Sequence, residues 1–389
     1  MIDRREFLQT ASIGSAGCAL GVLSTNHSVL IAADEPILGK LTQPVPYAVL
    51  QRHGYDPLHA SAHEVGGPKL GFADVDIAGE FGKAKADAWQ FRVVPLKEAF
   101  GAGTEWAKFE PTIQGGKFTA TVQIPAGGWY RLEVRALVGD KTVATAAVEP
   151  IGVGEVLVIA GQSYADGAND ELMKVEDPQG RAAAFDRVKN SWQIAHDPQP
   201  NIATGGTIWP PLGDLLLPIV QVPVGFVNVA VGGTASRQWL PGEPLYQNLA
   251  RAGAATGRFR AVLWQQGESD VIEGIATEKY VANLSAIREA LAAEWKFSPS
   301  WLLAKSTLHP TVYNKPDGEG RIRAAIDLLV KQPGFRPGPD TDILAGENRG
   351  GPKTRRHFTG LGQRRAALLW FAAVWQELQR GDDSYLARK

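Results

Sequence analysis

The run Val156-Leu157-Val158-Ile159-Ala160, followed at once by Gly161-Gln162-Ser163-Tyr164, constrains this chain more than any other stretch. Five consecutive apolar residues do not suit a surface loop. Their length suits a strand of a parallel sheet covered on both faces. Such a strand, stopping at Gly161, delivers Ser163 onto a turn at the carboxyl edge of the sheet, where open α/β folds bind their ligands. A serine in a turn commonly does no more than hydrogen-bond its own backbone. A catalytic reading therefore needs partners from elsewhere in the chain.

The sequence around this run divides in two. From about residue 40 to 150 the apolar period is two. Phe118, Ala120, Val122 and Ile124 alternate with polar neighbours, and so do Tyr130, Leu132, Val134 and Ala136. Short strands punctuated by Gly and Pro predict a β-sandwich of the Ig-like kind. From residue 151 to about 380, apolar runs at Val156–Ala160, Val222–Val231, Ala261–Trp264, Trp301–Ala304 and Ile343–Ala345 alternate with helical spacing. Tyr280, Leu284, Ile287 and Leu291 mark one helix, Ile322, Ile326 and Leu329 another, and a last one runs from about Gln363 to Gln379. This alternation predicts an α/β fold with a doubly wound parallel sheet, and five strands suit a flavodoxin-like order. Residues 166–211 are long and weakly periodic, which suggests a substrate-binding loop after Ser163.

The amino end reads as a targeting segment. Asp3-Arg4-Arg5-Glu6-Phe7-Leu8 resembles the twin-arginine export motif, a weakly apolar stretch follows from Ala11 to Leu23, and Ile31-Ala32-Ala33 offers a cleavage site. The stretch is too short to span a bilayer as a mature helix. The expectation is a signal peptide over residues 1–33, a twin-arginine translocon as partner during export, and a periplasmic or secreted product. Cys18, the single cysteine, lies inside this segment, so the mature chain would have no disulfide, thiol nucleophile or cysteine metal site.

With 40 basic and 41 acidic residues there is no basic surplus to attract a nucleic acid. The 11 tryptophans read first as core and only second as sugar-stacking faces; Trp209 is placed in the second group. His53, His59 and His63 sit at spacings of six and four without nearby carboxylate or cysteine partners, which argues for ordinary loop histidines over a metal site.

Three further segments supply the partners that Ser163 needs. The strand around Val224–Val231 ends in Gly232-Gly233-Thr234. The strand Ala261–Trp264 ends in Gln265-Gln266-Gly267-Glu268-Ser269-Asp270. His357-Phe358-Thr359-Gly360-Leu361-Gly362-Gln363 opens the last helix. Acyl transfer needs a hydroxyl nucleophile, a base and two or three donors for the oxyanion, and these segments contain each part.

Together the four segments resemble the SGNH/GDSL hydrolases, and within them the sialate O-acetylesterase-like carbohydrate esterases. Gly161-Gln162-Ser163 looks like the first block, Gly232-Gly233-Thr234 like part of the second, Gln266-Gly267-Glu268-Ser269-Asp270 like the third, and His357-Phe358-Thr359 like the last. The resemblance implies an O-acetylesterase acting on an acetylated carbohydrate, with Ser163 as nucleophile and His357 as base. The Ser163 and Gly232 amides, helped by Gln266, would hold the oxyanion. Gln162, Tyr164, Gly233, Thr234, Glu268 and Trp209 would line the substrate, with Glu268 as a buttress. No metal or organic cofactor is implied.

Two positions depart from the family. Tyr164 stands where it usually has Asn, and Thr354 stands where it usually has Asp, three residues before the histidine. Either Ser163 and His357 act as a dyad, or a carboxylate from the preceding loop joins them. Glu347 follows the Ile343–Ala345 run and so is expected at the catalytic edge; Asp342 precedes it and is expected at the far end. Two rival functions remain: a carbohydrate-binding protein on a decayed esterase scaffold, and an esterase for lipid or aryl esters. The polar segments Asp166–Asn169 and Gly205-Gly206-Thr207 argue against an apolar groove.

Overall fold

The structure, a computed structural model, describes residues 37–56, 69–82, 85–308, 315–350 and 356–381. Arg4, Arg5, Cys18, the cleavage site, His59, His63 and Thr354 lie outside these residues.

The period-two region forms β1 (Ile37–Leu38), β2 (Lys40–Gln43), β3 (Val49–Gln51), β4 (Phe72–Glu80), β5 (Ala88–Phe100), β6 (Ala107–Phe109), β7 (Thr112–Gln114), β8 (Lys117–Pro125) and β9 (Gly127–Val138). Four of these make an antiparallel sheet in the order β2-β4-β8-β7. β5 pairs antiparallel with both β6 and β9. Along β8, Phe118, Val122 and Ile124 are buried while Thr119, Thr121 and Gln123 are exposed, because successive side chains on a strand point to opposite faces. Val75, Ile77 and Phe118 from one sheet and Phe91, Leu132 and Val134 from the other enter the same apolar cluster.

The next strand, β10 (Lys141–Gly161), does not stop where the sheet type changes. Its first part pairs antiparallel with β9. Its second part is the central strand of the parallel sheet. The expected boundary between residues 150 and 151 therefore falls inside one strand instead of a linker, and the described residues belong to one compact unit.

The rest of the chain supplies β11 (Ala182–Asp186), β12 (Ser191–Ile194), β13 (Val224–Asn228), β14 (Ala261–Gln265), β15 (Ser300–Lys305) and β16 (Phe335–Asp340). The parallel strands run in the order β13-β10-β14-β15-β16, which by sequence is 2-1-3-4-5, the flavodoxin-like order. β11 adds parallel to β13, and β12 returns antiparallel to β11. This hairpin lies within residues 166–211, so that segment is not a continuous loop. Its core strand begins Ala182-Ala183-Ala184, and alanine carries little β preference to announce a strand.

The helices are α1 (Ser163–Asp166), α2 (Trp209–Val220), α3 (Pro244–Thr256), α4 (Glu268–Glu273), α5 (Thr277–Trp295), α6 (Pro316–Leu329) and α7 (Gly360–Leu378). They cover both faces of the parallel sheet. Leu157 and Ile159 of β10 join Leu212 and Leu216 of α2 and Trp370 and Val374 of α7. Val156, Val158 and Ala160 join Leu249 of α3, Leu284 and Ile287 of α5 and Ile322 of α6. A strand buried on both faces has no polar alternation to keep, hence its unbroken apolar run.

The last strand departs from expectation. It is Phe335–Asp340, not Ile343–Ala345. Pro337, Gly338 and Pro339 disguise it, and they are tolerated because β16 pairs only with β15, at the edge. Ile343 instead ends a 3₁₀ turn and is exposed.

Candidate active site

The strand register brings the polar segments to one edge. Gly161 lies opposite Gln265, Gln265 opposite Ala304, and Lys305 opposite Asp340. Gly161 itself has a φ of +131°, and a Cβ there would lie 2.1 Å from Gln265 O. Only glycine lets the two strand ends approach this closely. The chain then turns into α1, whose first residue is the half-buried Ser163. An amide at that position has no acceptor within its helix.

Gly232 arrives beside it. A Cβ built on Gly232 would lie 3.7 Å from Ser163 Cβ and 3.5 Å from Asp166 Oδ2. The Gly232 amide donates to Asp166 Oδ2 at 2.9 Å. Asp166 Oδ1 accepts from Asn201 Nδ2 at 2.7 Å and from Ala203 N at 3.4 Å. Burial raises the Asp166 pKa, with the Gly232 and Ala203 amides opposing the rise. Gly233 is exposed with open space around it.

The third segment is locked by hydrogen bonds. Gln162 Oε1 accepts from Gln266 Nε2 at 3.3 Å, Gly267 N at 3.4 Å and Ser269 N at 3.2 Å. Gln266 Nε2 also donates to Thr234 O at 3.0 Å and to Asp270 Oδ2, and its Oε1 accepts from Tyr280 Oη at 2.9 Å. The Gln266 amide is fully buried and spent on these partners, so here it ties three loops together and does not present a donor to an oxyanion. Thr234 donates to Val231 O and accepts from Trp239 Nε1, which likewise keeps it within the scaffold. Glu268 is fully buried. Its Oε1 accepts from Ser306 Oγ at 2.9 Å, while Oε2 has no hydrogen-bond partner among the described residues. Burial first, then Asp342, pushes its pKa up to about 8, against the pull of Ser306 and Arg349.

The segment that carries His357 leads into α7. Thr359 caps that helix, its Oγ1 accepting from Gly362 N at 3.2 Å. Gln363 Nε2 donates to Glu171 O and Thr207 O, both at 2.8 Å, which pins the helix start to the segments that follow α1. His357 is buried two residues ahead of the cap, and its ring meets that of Tyr164 at 5.0 Å between centroids. The structure thus brings Gly232 to Ser163, and His357 to Tyr164, the residue that follows Ser163. Trp209 is elsewhere: it is fully buried, donates from Nε1 to Ala165 O at 2.9 Å, and props the nucleophile turn from the core.

Asp342 lies at the carboxyl edge of the sheet and not, as expected, at its far end. Because β16 ends at Asp340, Asp342 follows the carboxyl end of that strand. Its Oδ1 accepts from Thr307 N and Leu308 N, and its Oδ2 from Thr307 Oγ1 and Arg323 Nη1. Glu347 has a side chain 68% exposed and pairs with Arg365 at 2.7 Å. The sequence reading overlooked Asp166, Asn169, Asn201 and Arg349 as site residues. Only Asp166 leaves a signal, since a residue three after Ser163 shares its helical face.

A hollow of about 370 Å³ opens just after α1, lined by Gly167, Asn169, Asp170, Ala203 and Gly205 among others. A larger cavity, about 1160 Å³, is lined by His53, Phe72, Trp192 and Arg258 among others, and none of the site residues above touches it.

A serine at the carboxyl end of the central strand, on a flavodoxin-like sheet with a histidine ahead of the last helix, is the arrangement expected of an SGNH-type α/β hydrolase. Residues 153–300 match the model of the family described as carbohydrate esterase, sialic acid-specific acetylesterase. A probable carbohydrate esterase of Arabidopsis thaliana is 26% identical over 163 residues, covering 36% of this chain and 63% of the relative's length. The crystal structure of a carbohydrate acetylesterase from Xanthomonas citri shares the fold at a TM-score of 0.53 and 18% identity, over 88% of this chain and 74% of that one. A solved Arabidopsis thaliana protein gives a TM-score of 0.46 at 20% identity, over 57% of this chain and 97% of that one.

Proposed function

We propose that this chain is a carboxylic ester hydrolase that removes O-acetyl groups from a carbohydrate through an acyl-enzyme on Ser163. The observation that carries this reading is the approach of Gly232 to Ser163, together with the His357 ring packed on Tyr164, the residue that follows Ser163. Ser163 Oγ attacks the acetyl carbonyl carbon while His357 takes the hydroxyl proton. The tetrahedral oxyanion faces the Ser163 amide at the start of α1, beside Gly232. It collapses as His357 returns the proton to the departing sugar oxygen. Water, deprotonated by His357, then cleaves the acyl-enzyme to acetate and restores Ser163. Asn169, Asp170 and Thr204 at the hollow after α1 support a sugar over a long acyl chain.

The same reading includes export by the twin-arginine route to the periplasm or beyond, supported by Arg4-Arg5 and the apolar stretch that follows. It also takes residues 40–150 as an Ig-like β-sandwich, supported by the apolar cluster that the two antiparallel sheets share.

The test is acetyl release from acetyl-xylan, acetyl-sialate and a long-chain ester in parallel, by the parent and by Ser163→Ala. The expected loss in the variant is about a thousandfold or more. Retention of more than about a tenth of the rate would exclude Ser163 as nucleophile. Sugar binding without acetyl release from any substrate would favour the decayed-scaffold reading.

A further inference from the structure

The nucleophile's own turn grips the base from both sides. Tyr164 Oη donates to Arg356 O at 2.7 Å, the peptide oxygen immediately before His357. The same hydroxyl accepts from Arg349 Nη1. The Tyr164 ring stands edge-on to the imidazole at an interplanar angle of 71°, and lies tilted on Phe358 with centroids 4.6 Å apart. On the other flank, Asn169 Oδ1 accepts from Phe358 N at 3.2 Å, and Asp170 N donates to Phe358 O at 3.0 Å. Asn169 Nδ2 closes the loop by donating to Tyr164 O at 3.0 Å. Both side chains are buried, Tyr164 to 1% exposure and Asn169 to 2%.

A tyrosine kept only to fill the core needs its ring and at most one partner for the hydroxyl. Here the hydroxyl has two partners, and one of them is the peptide unit that carries His357. Proton transfer demands placement within a fraction of an ångström, and a displacement of about 1 Å can cost on the order of a hundredfold in rate.

We propose that Tyr164 and Asn169 are positioning residues that hold the peptide units before and after His357 and so set the imidazole beside Ser163. The inference rests on the esterase reading. It assigns a task to the tyrosine that replaces the family's asparagine.

The test is a double-mutant cycle on release of acetate from 4-nitrophenyl acetate, an activated ester that leaves a measurable rate without the base. Tyr164→Phe keeps the ring and removes both hydroxyl bonds. Its kcat is expected to fall about tenfold or more with KM within about twofold, the pattern of a lost transition-state interaction. In a His357→Ala background the same substitution is expected to cost nothing further, because it acts through the imidazole. Equal losses in both backgrounds, an unchanged kcat, or a raised KM alone would overturn the proposal. Circular dichroism melting establishes that each variant is folded at the assay temperature. If Tyr164→Phe does not fold, the same cycle with Asn169→Ala decides the matter from the other flank. A rate independent of Ser163 would strike the esterase reading; an additive cycle in a Ser163-dependent enzyme strikes only the positioning role.

Discussion

Asp166 Oδ2 holds the amide of Gly232 at 2.9 Å, so the residue that ends the helical turn begun by Ser163 also fixes the loop beside that serine. The other oxygen of the same carboxylate takes Asn201 and Ala203. Three donors face one acceptor group. Asp166→Asn would put an amide N–H against one of them, leaving a donor facing a donor. We expect kcat to fall about tenfold or more through displacement of Gly232, and the melting temperature to fall with it. A kcat within about twofold of the parent would show that the Gly232 position does not matter to the reaction.

Glu347 and Asp342 separate cleanly in the same assay. Glu347 is exposed on Arg365, so Glu347→Gln is expected to leave both rate and stability within experimental scatter. Asp342 holds Thr307, Leu308 and Arg323, so Asp342→Asn should cost about 1–3 kcal/mol in urea unfolding. A fall of about a thousandfold in rate in Glu347→Gln, the scale of a lost triad acid, would refute a Ser163–His357 dyad.

Glu268 makes stability depend on pH in an unusual direction. Burial raises its folded pKa from 4.5 to about 8, so between these values the native state binds the proton more tightly than the unfolded state. Stability is then complete below the unfolded value and declines as pH rises through the folded one. Glu268→Gln keeps an acceptor for Ser306 and cannot ionise. Thermal melts from pH 5 to pH 9 should show the variant gaining on the parent as pH rises. Parallel curves would show that Glu268 titrates normally.

Glu155 behaves oppositely. It is buried between Arg52 at 2.7 Å and Arg260 at 2.8 Å, with Gln51 donating at 2.9 Å. Burial alone would raise its pKa, but Arg260 and Arg52 hold it below the ordinary 4.5. Its contribution is present above the unfolded value and is lost as pH falls through the folded one. Glu155→Gln leaves two buried guanidinium groups without their anion and should cost about 3–5 kcal/mol at pH 7. Urea unfolding at pH 7 and pH 3 should show the gap from the parent narrowing in acid. A variant as stable as the parent at pH 7 would contradict this account.

Much of the parallel-sheet half is readable because its constraints are local and periodic. Val156–Ala160 must be a doubly covered strand, and Tyr280, Leu284, Ile287 and Leu291 can only stripe a helix. The misplacement of the last strand has a plain cause: Pro337 and Pro339 look like strand breakers, and only the edge position excuses them. That error carried over to Asp342, whose expected place was measured from the wrong strand. Asn169 and Arg349 were overlooked for a different reason. Their roles depend on residues nearly two hundred positions away, a relation that no spacing along the chain encodes.

β10 is twenty-one residues long and hydrogen-bonds to β9 through its first part and to β13 and β14 through its second. A chain cut near residue 150 would lose backbone partners on both sides of the cut, because β3 also pairs with Gly152–Gly154. The two regions of different periodicity are thus inseparable as fragments. They should melt in a single transition, and the serine at the strand's end inherits its rigidity from strands on both sides of that cut.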